Sequence, residues 1–284
     1  MDIHLTPDVK TYYINLDKNQ RRNENMKSII KKYGLWNYER VPGILTKSVE
    51  HVNFYKDQIT EKAYETLMEN NKNRNRSRHS QLTNGSIGCF LSHMKIYKDI
   101  VEKDIPYAII FEDDVGFEIN KEKFWDCLSN IYFPKDTDIV LLNCITHEDK
   151  CIGNQKLKKI HFFFGMWFYL ITNKGAKKAL RNLLPINEQI DFKLSILSYY
   201  GKLNIYHYFW NDFNMKDNNL GTDIQLLGCD DCDIETEILE VKTGMIINTN
   251  KRQKRKKVLF AVAIMIFLLI VLISINFNVL KSII

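Results

Sequence analysis

Five apolar or aromatic residues run directly into three carboxylates in the stretch Tyr107-Ala108-Ile109-Ile110-Phe111-Glu112-Asp113-Asp114. An unbroken apolar run of this length is typical of a strand buried on both faces, as in the parallel sheets of α/β proteins. Ligands of open α/β sheets bind beyond the carboxyl ends of the strands. The stretch therefore predicts an α/β fold and places the acidic residues where a ligand would bind.

The three carboxylates repel one another, so a cluster of this kind favours a bound cation. In an extended chain Glu112 and Asp114 point to one side and Asp113 to the other. Two carboxylates on one side offer the hard oxygen ligands that Mn²⁺ or Mg²⁺ prefers. The alternative is a helix cap with solvated loop charges, and these three residues alone do not exclude it.

Strands and helices alternate on both sides of this stretch. A β-branched and aromatic run at 10–15 precedes a helix that begins near Asp17 and ends at Gly34, with an apolar stripe at Met26, Ile29, Ile30 and Tyr33. Further elements are predicted as helices over 86–101, 121–130, 174–183 and 188–200, a strand over 138–143 and an aromatic stretch over 162–171. This alternation predicts a mostly parallel central sheet.

The segment 46–80 is polar, and 70–79 consists almost entirely of Asn, Lys, Arg and Ser. Such a composition predicts a mobile surface loop whose four basic residues are solvated.

Composition bounds the function. The 284 residues are 45% hydrophobic, which suits one sizeable domain. The net charge of +6 equals the six cations of the run 251–257, so the rest of the chain is close to neutral. A nucleic-acid partner would need a basic face on the folded elements, and we expect none.

The cysteines indicate a reducing compartment, because no signal peptide is evident at the start of the chain. Cys229 and Cys232 have the spacing of a metal or redox pair. Zinc would need two further ligands that the sequence pattern does not supply, and a solvated acidic turn with two ordinary thiols is the alternative.

Residues 258–275 are apolar except for Ser274, and the run extends to about 280 if two asparagines lie near an interface. This length predicts a single C-terminal transmembrane helix over 258–280, preceded by a basic juxtamembrane linker over 246–257 and a domain over 1–245. Because the cations precede the span, we expect the domain to face the cytoplasm and the linker to attract membrane lipid. The Lys, Asn and Ile content suggests an AT-rich genome; in a virus, the membrane would be that of the host or the virion.

Four blocks in order resemble glycosyltransferase family 25, the family of lipooligosaccharide and procollagen galactosyltransferases. They are Tyr13-Ile14-Asn15-Leu16-Asp17 with Arg21-Arg22, the segment 85–94 ending in Leu91-Ser92-His93-Met94, the segment 108–115 around Glu112-Asp113-Asp114, and Tyr169-Leu170-Ile171-Thr172-Asn173-Lys174-Gly175-Ala176. Asp191 and Asp223 resemble acidic residues that the family tends to carry at these places. The resemblance extends over roughly residues 9–225.

The resemblance implies a GT-A fold and an enzyme that transfers a hexose, galactose or glucose, from a UDP-sugar to an acceptor hydroxyl with inversion. The acceptor would be a protein, a glycan or a lipid. A divalent metal, Mn²⁺ or Mg²⁺, would bind Glu112 and Asp114. The nucleotide-sugar would lie near Asn15, Asp17, Arg21 and Asp113.

Two residues are candidates for catalysis. Asp191 is the candidate base, because a carboxylate following an apolar turn at the start of a helix is otherwise oddly placed. An ordinary charge at a helix N-terminus is the competing interpretation. His93 shares a helix flank with Cys89 and Ile96, so a buried core histidine competes with a substrate-side role. An inactive transferase fold acting as a membrane adaptor is the alternative function, and phosphoryl transfer is disfavoured because no P-loop is present.

Overall fold

The structure is a computed structural model, and it describes residues 3, 5–116, 118–146, 148, 156–209, 222–230 and 232–243. The chain divides into two units, Met1–Cys232 and Asp233–Ile284. In the second unit, the described residues form a helix over 234–243. The predicted basic linker and transmembrane helix lie outside the described residues. Within the described part of the chain, no helix is long and apolar enough to cross a membrane.

The first unit contains one sheet with helices on both faces. Its strands are β1 (Thr11–Asn15), β2 (Tyr38–Pro42), β3 (Tyr107–Glu112), β4 (Ile139–Ile145), β5 (Leu157–Lys159), β6 (Phe164–Thr172) and β7 (Ile205–Tyr208). Its helices are α1 (Gln20–Tyr33), α2 (Val49–Asn53), α3 (Glu61–Asn73), α4 (Asn84–Glu102), α5 (Lys121–Ser129), α6 (Asn173–Leu183) and α7 (Ile190–Tyr199), with a 3-10 turn at Lys56–Gln58.

The strand order among the described residues is β2-β1-β3-β6-β4-β7-β5. Strand β1 pairs in parallel with β2 and β3, and β4 pairs in parallel with β7. Strand β6 is antiparallel to both of its neighbours, and β5 is antiparallel to β7. The α/β prediction is confirmed, and the sheet is mixed: β5 and β6 run against the other five strands. Burial on both faces makes a strand apolar whatever its direction, so the aromatic run at 162–171 carried no sign of the reversal.

Alternate residues of each central strand pack on opposite sides of the sheet. In β3, Ala108 and Ile110 join the core beneath α4, α6 and α7, whereas Ile109 and Phe111 join the core beneath α1 and α5. The same alternation separates Tyr12 from Tyr13 in β1. It follows that the last residue of β3 and the residue after it also diverge, Glu112 toward α4 and Asp113 toward α1.

The prediction of a loop over 70–79 is wrong for 70–73 and correct for the irregular segment 74–79. Helix α3 continues to Asn73, where Arg74 ends it with a left-handed backbone. The side chains of Arg76 and Ser80 are buried, with 4% and 1% of their surfaces exposed. The polar composition was misleading because Asn70 and Gln81, which a hydrogen bond of 3.1 Å joins, satisfy polar groups inside the fold rather than in solvent.

Candidate active site

The parallel strands β1 and β3 end side by side, with Ile14 opposite Glu112. The residues that follow, Asn15 and Asp113, are therefore adjacent, and Asn15 Nδ2 donates a hydrogen bond of 2.7 Å to Asp113 Oδ2. Both side chains are buried. The register of the sheet thus brings together two polar groups that lie almost one hundred residues apart in the sequence.

Arg22, in the first turn of α1, balances the negative charge at this edge. Its Nη1 lies 2.9 Å from Asp113 Oδ1, 3.7 Å from Asp114 Oδ2 and 3.8 Å from Asp223 Oδ2. Burial alone would lower the pKa of Arg22, but the three carboxylates reverse this effect and raise it. The pKa of Asp113 is nevertheless raised, mainly by its own burial. The Arg22 guanidinium therefore offsets part of the negative charge of three carboxylates.

Glu112 lies on the other side of the sheet, against a chain of buried rings. Its Oε1 is 3.3 Å from Nε2 of His93, whose Nδ1 is 2.7 Å from the hydroxyl of Tyr169. The Tyr97 hydroxyl lies 3.0 Å from that of Tyr169. His93 has no exposed surface, and both of its ring nitrogens have partners. The chain of contacts fixes the position of the Glu112 carboxylate.

Asp114 is a poorly compensated carboxylate of this site. Burial, followed by the charge of Glu112, raises its pKa to about 7. Among the described residues, its Oδ1 is buried and has no hydrogen-bond partner. A buried carboxylate oxygen without a donor costs free energy unless a cation or a proton compensates it. The residues present therefore fit a divalent cation near Glu112 and Asp114, and Cys89, His93 and Glu112 also bring potential ligand atoms within 4.8 Å of one another.

The carboxylates Glu112, Asp113 and Asp114 line one cleft together with Asn15, Arg22 and His93. Its opposite wall is the segment 43–47, which helix α4 approaches closely at Gly88. A side chain at position 88 would overlap the carbonyl of Ile44 and the hydroxyl of Thr46. The Ile44 N–H also donates to Ser92 Oγ at 2.8 Å. Glycine is therefore needed at position 88 for this wall to close on α4.

The third wall comes from a distant part of the chain. Thr222, Asp223, Ile224 and Leu226 line the cleft. Asp223 accepts hydrogen bonds from Lys18, at 2.6 Å, and from Asn19. Although burial acts to raise the pKa of Asp223, these bonds and nearby cations lower it. Asp223 thus joins this segment to the loop before α1.

The predicted nucleotide residues differ in position. Asn15 lines the cleft, and Arg40 holds it by donating to its side-chain oxygen at 3.0 Å and to Asp17 Oδ1 at 2.6 Å. Asp17 is largely exposed, at 78% of its side chain. Arg21 is exposed on α1 and is not among the described residues that line the cleft, whereas Arg22 is.

Sequence reasoning missed Arg22, although a signal was present. The apolar stripe of α1 begins at Met26, and one helical turn earlier is position 22. The buried face of α1 indeed consists of Arg22, Met26, Ile29, Ile30 and Tyr33. Periodicity alone would therefore have assigned the inward position to Arg22 rather than Arg21. Arg40 and Lys18 carried no comparable signal, because neither lies in a helical pattern.

Asp191, the candidate base, lies in the first turn of α7. Its Oδ2 accepts a hydrogen bond from the Gly165 N–H and its Oδ1 from the Phe192 N–H, both at 2.8 Å. Burial raises its pKa despite these bonds. The pKa of the half-buried Cys89 thiol is raised by desolvation and, to a smaller extent, by the charges of Glu112 and Asp191. The two carboxylates therefore act on one thiol of the cleft wall, although Asp191 is not among the described lining residues.

The model of "Glycosyltransferase family 25 (LPS biosynthesis protein)" matches residues 8–194. Procollagen galactosyltransferase 1-A of Xenopus laevis is 29% identical over 191 residues, which is 63% of this chain and 30% of that protein. "Probable inactive glycosyltransferase 25 family member 3" of Bos taurus is 30% identical over 38% of this chain and 20% of its own length. Lipooligosaccharide biosynthesis protein lic2B of Haemophilus influenzae is 25% identical over 43% of this chain and 50% of its length. The chain spans under a third of the length of the first of these relatives.

Proposed function

This chain belongs to glycosyltransferase family 25, and from that premise we propose that it transfers a hexose, galactose or glucose, from a UDP-sugar to an acceptor hydroxyl. The acceptor is a protein, a glycan or a lipid, and transfer proceeds with inversion on a GT-A fold.

We also propose that a helix over 258–280 anchors the domain to a membrane, with the domain facing the cytoplasm. The full chain should float with lipid vesicles in a density gradient, and deletion of 251–284 should abolish this flotation.

The observation that carries the proposal is the pair Glu112 and Asp114 at the end of β3. One oxygen of Asp114 is buried without a hydrogen-bond partner among the described residues, and its pKa is raised to about 7. Residues this poorly compensated are characteristic of functional sites. Glu112 and Asp114 would hold Mn²⁺ or Mg²⁺, which supplies positive charge to the leaving diphosphate.

The chain's own residues perform the remaining steps. Asn15, which lines the cleft, is assigned to the nucleotide, and Asp113 orients Asn15 through their hydrogen bond of 2.7 Å. Arg22 adds a cation to the cleft that can face a phosphate, since its guanidinium has five donors. His93 acts through Glu112, which it contacts at 3.3 Å, and is thus a positioning residue.

Asp191 is assigned as the general base that accepts the proton of the acceptor hydroxyl. A base needs a pKa close enough to neutral to accept a proton, and burial shifts Asp191 in that direction. Its two backbone hydrogen bonds, both 2.8 Å, fix the carboxylate in one orientation.

The experiment that tests the function is a panel of sugar nucleotides with Mn²⁺, read as released nucleotide diphosphate and as labelled acceptor. We expect a UDP-hexose to be turned over and other donors to react poorly. Failure of every donor to react, with any acceptor class, would contradict the transferase proposal.

A second candidate is an adaptor that retains the fold without turnover. The match to a relative whose name says probable inactive favours it. In that case UDP would bind in the presence of Mn²⁺ or fail to bind, but no donor would be consumed. The donor panel separates the two candidates, and calorimetric titration of UDP shows whether an adaptor retains nucleotide binding.

Asp114 should also reduce the stability of the metal-free protein. Its pKa rises from an ordinary value of 3.8 to about 7 on folding, so the folded state binds the extra proton and loses stability as pH rises from about 4 to 7. Asp114→Asn cannot ionise. In excess chelator its melting temperature should match wild type near pH 4 and exceed it by at least about 2 °C at pH 8. An equal difference at both pH values would contradict the shifted pKa.

A further inference from the structure

A second group of metal-ligating side chains lies outside the cleft. His79, Cys229 and Cys232 place their ligand atoms within 4.8 Å of one another, and all three residues are half-buried. His79 Nδ1 lies 3.9 Å from Cys229 Sγ. The sequence showed only the pair of cysteines, and the fold adds a histidine from a segment 150 residues away.

The backbone around these residues is held in place. Gly228 forms a parallel bridge with Asn75, in which the Arg76 N–H donates to the Gly228 carbonyl at 2.9 Å and the Gly228 N–H donates to the Arg74 carbonyl at 3.1 Å. The His79 carbonyl accepts hydrogen bonds from Arg76 Nη1 at 3.0 Å and Gln189 Nε2 at 2.7 Å. The three ligand atoms are therefore brought together by contacts that do not depend on a metal.

We propose that His79, Cys229 and Cys232 form a zinc site. Two thiolates and an imidazole are the ligands that Zn²⁺ prefers, and water completes its tetrahedral shell. The structure contains the oxidised pair, a Cys229–Cys232 disulfide. A phosphine reductant converts it to two thiols, taking its oxygen from water to become a phosphine oxide, and zinc then displaces both thiol protons.

Zinc at this position would connect two segments that are far apart in the sequence. The disulfide links residues only three apart, within one segment. A zinc ion would instead tie that segment to His79. The same segment carries Asp223 and Ile224, which line the cleft, and Asp223 binds Lys18. The site would therefore hold the third wall of the cleft against the body of the first unit.

The test is a titration of the reduced, metal-free full chain with Co²⁺ as a spectroscopic substitute for zinc. We expect one equivalent to give a thiolate-to-cobalt charge-transfer band, which Zn²⁺ then abolishes. Cys229→Ser and Cys232→Ser should remove the band, and His79→Asn should weaken cobalt binding by at least about 100-fold, because losing a ligand costs no less than losing an outer-shell partner. Zinc should also raise the melting temperature of the wild-type chain, because the assembled site of the folded state binds it more tightly than the unfolded chain does.

Two control variants make the result specific. Cys89→Ser tests the thiol beside His93 and Glu112, which could itself bind cobalt, and Cys127→Ser tests a remote thiol. Both should retain the band and the zinc-dependent rise in melting temperature. Absence of a charge-transfer band in the reduced wild type, or a band lost in Cys89→Ser but kept in Cys229→Ser, would overturn the proposal. None of these measurements depends on sugar transfer.

Discussion

Replacing Asp114 with asparagine should lower the rate of sugar transfer by about 1,000-fold or more, and Glu112→Gln should have a similar effect. Either change removes one negative charge from the pair that would hold the divalent cation. A loss of about 4 kcal/mol of transition-state stabilisation corresponds to this fall in rate. Because Asp114 Oδ1 has no hydrogen-bond partner among the described residues, Asp114→Asn disrupts no contact of that atom.

Turnover and Mn²⁺-dependent UDP binding should be lost together in both variants. Asp126→Asn is a matched control, since it removes a carboxylate from the exposed surface of α5. It should retain the wild-type rate. Normal turnover by Asp114→Asn, or wild-type turnover that persists in excess chelator, would refute the metal assignment. Loss of turnover with a lowered melting temperature would instead indicate damage to the fold.

Asp191→Asn should lower the transfer rate by about 100- to 10,000-fold, the range typical of a lost general base, while leaving donor binding unchanged. Asp191 is not among the described residues that line the cleft, so the donor should not sense the change. The Asp191 carboxylate accepts hydrogen bonds from the backbone N–H groups of Gly165 and Phe192. An asparagine amide nitrogen cannot accept a hydrogen bond, so one of these two N–H groups would lose its partner. We expect a modest loss of stability of about 1–3 kcal/mol from this.

The pH profile separates a base from a structural role. In the wild type, the rate should fall as pH decreases through the raised pKa of Asp191, because a protonated carboxyl cannot accept the proton. In Asp191→Asn, this acidic limb should be absent. A variant that is slow but keeps the wild-type limb would show that Asp191 acts only by holding Gly165.

Much of the fold could be predicted because its elements are strongly patterned. The predicted strand at 107–111 is β3, and the helix predicted over 86–101 lies within α4. Helix α1 ends at Gly34, whose left-handed backbone supports the predicted cap. The short strands β2, β5 and β7 were missed, since three to five residues carry little periodicity. Helices α2 and α3 were missed because their polar residues resemble a loop.

The candidate site could be predicted only in part. The end of β3 supplied Glu112, Asp113 and Asp114 directly, because a local pattern marks both the strand and its end. Arg21 was predicted as the nucleotide residue, whereas Arg22 is the arginine that lines the cleft, as helical spacing would have indicated. The partnership of His93 with Tyr169 depends on the pairing of β3 with an antiparallel β6, which no local pattern specifies.

The sequence by itself determined what is local: the buried strand, the carboxylates that follow it, the stripe of α1 and the family blocks. These follow from side-chain periodicity and residue chemistry, which act within a few residues. Only the tertiary structure decided which carboxylate Arg22 neutralises, that one Asp114 oxygen stays without a donor among the described residues, and that His79 meets Cys229 and Cys232. Those outcomes depend on strand order and register, which bring together residues that lie far apart in the chain. Burial of these residues then shifts the pKa values of their side chains.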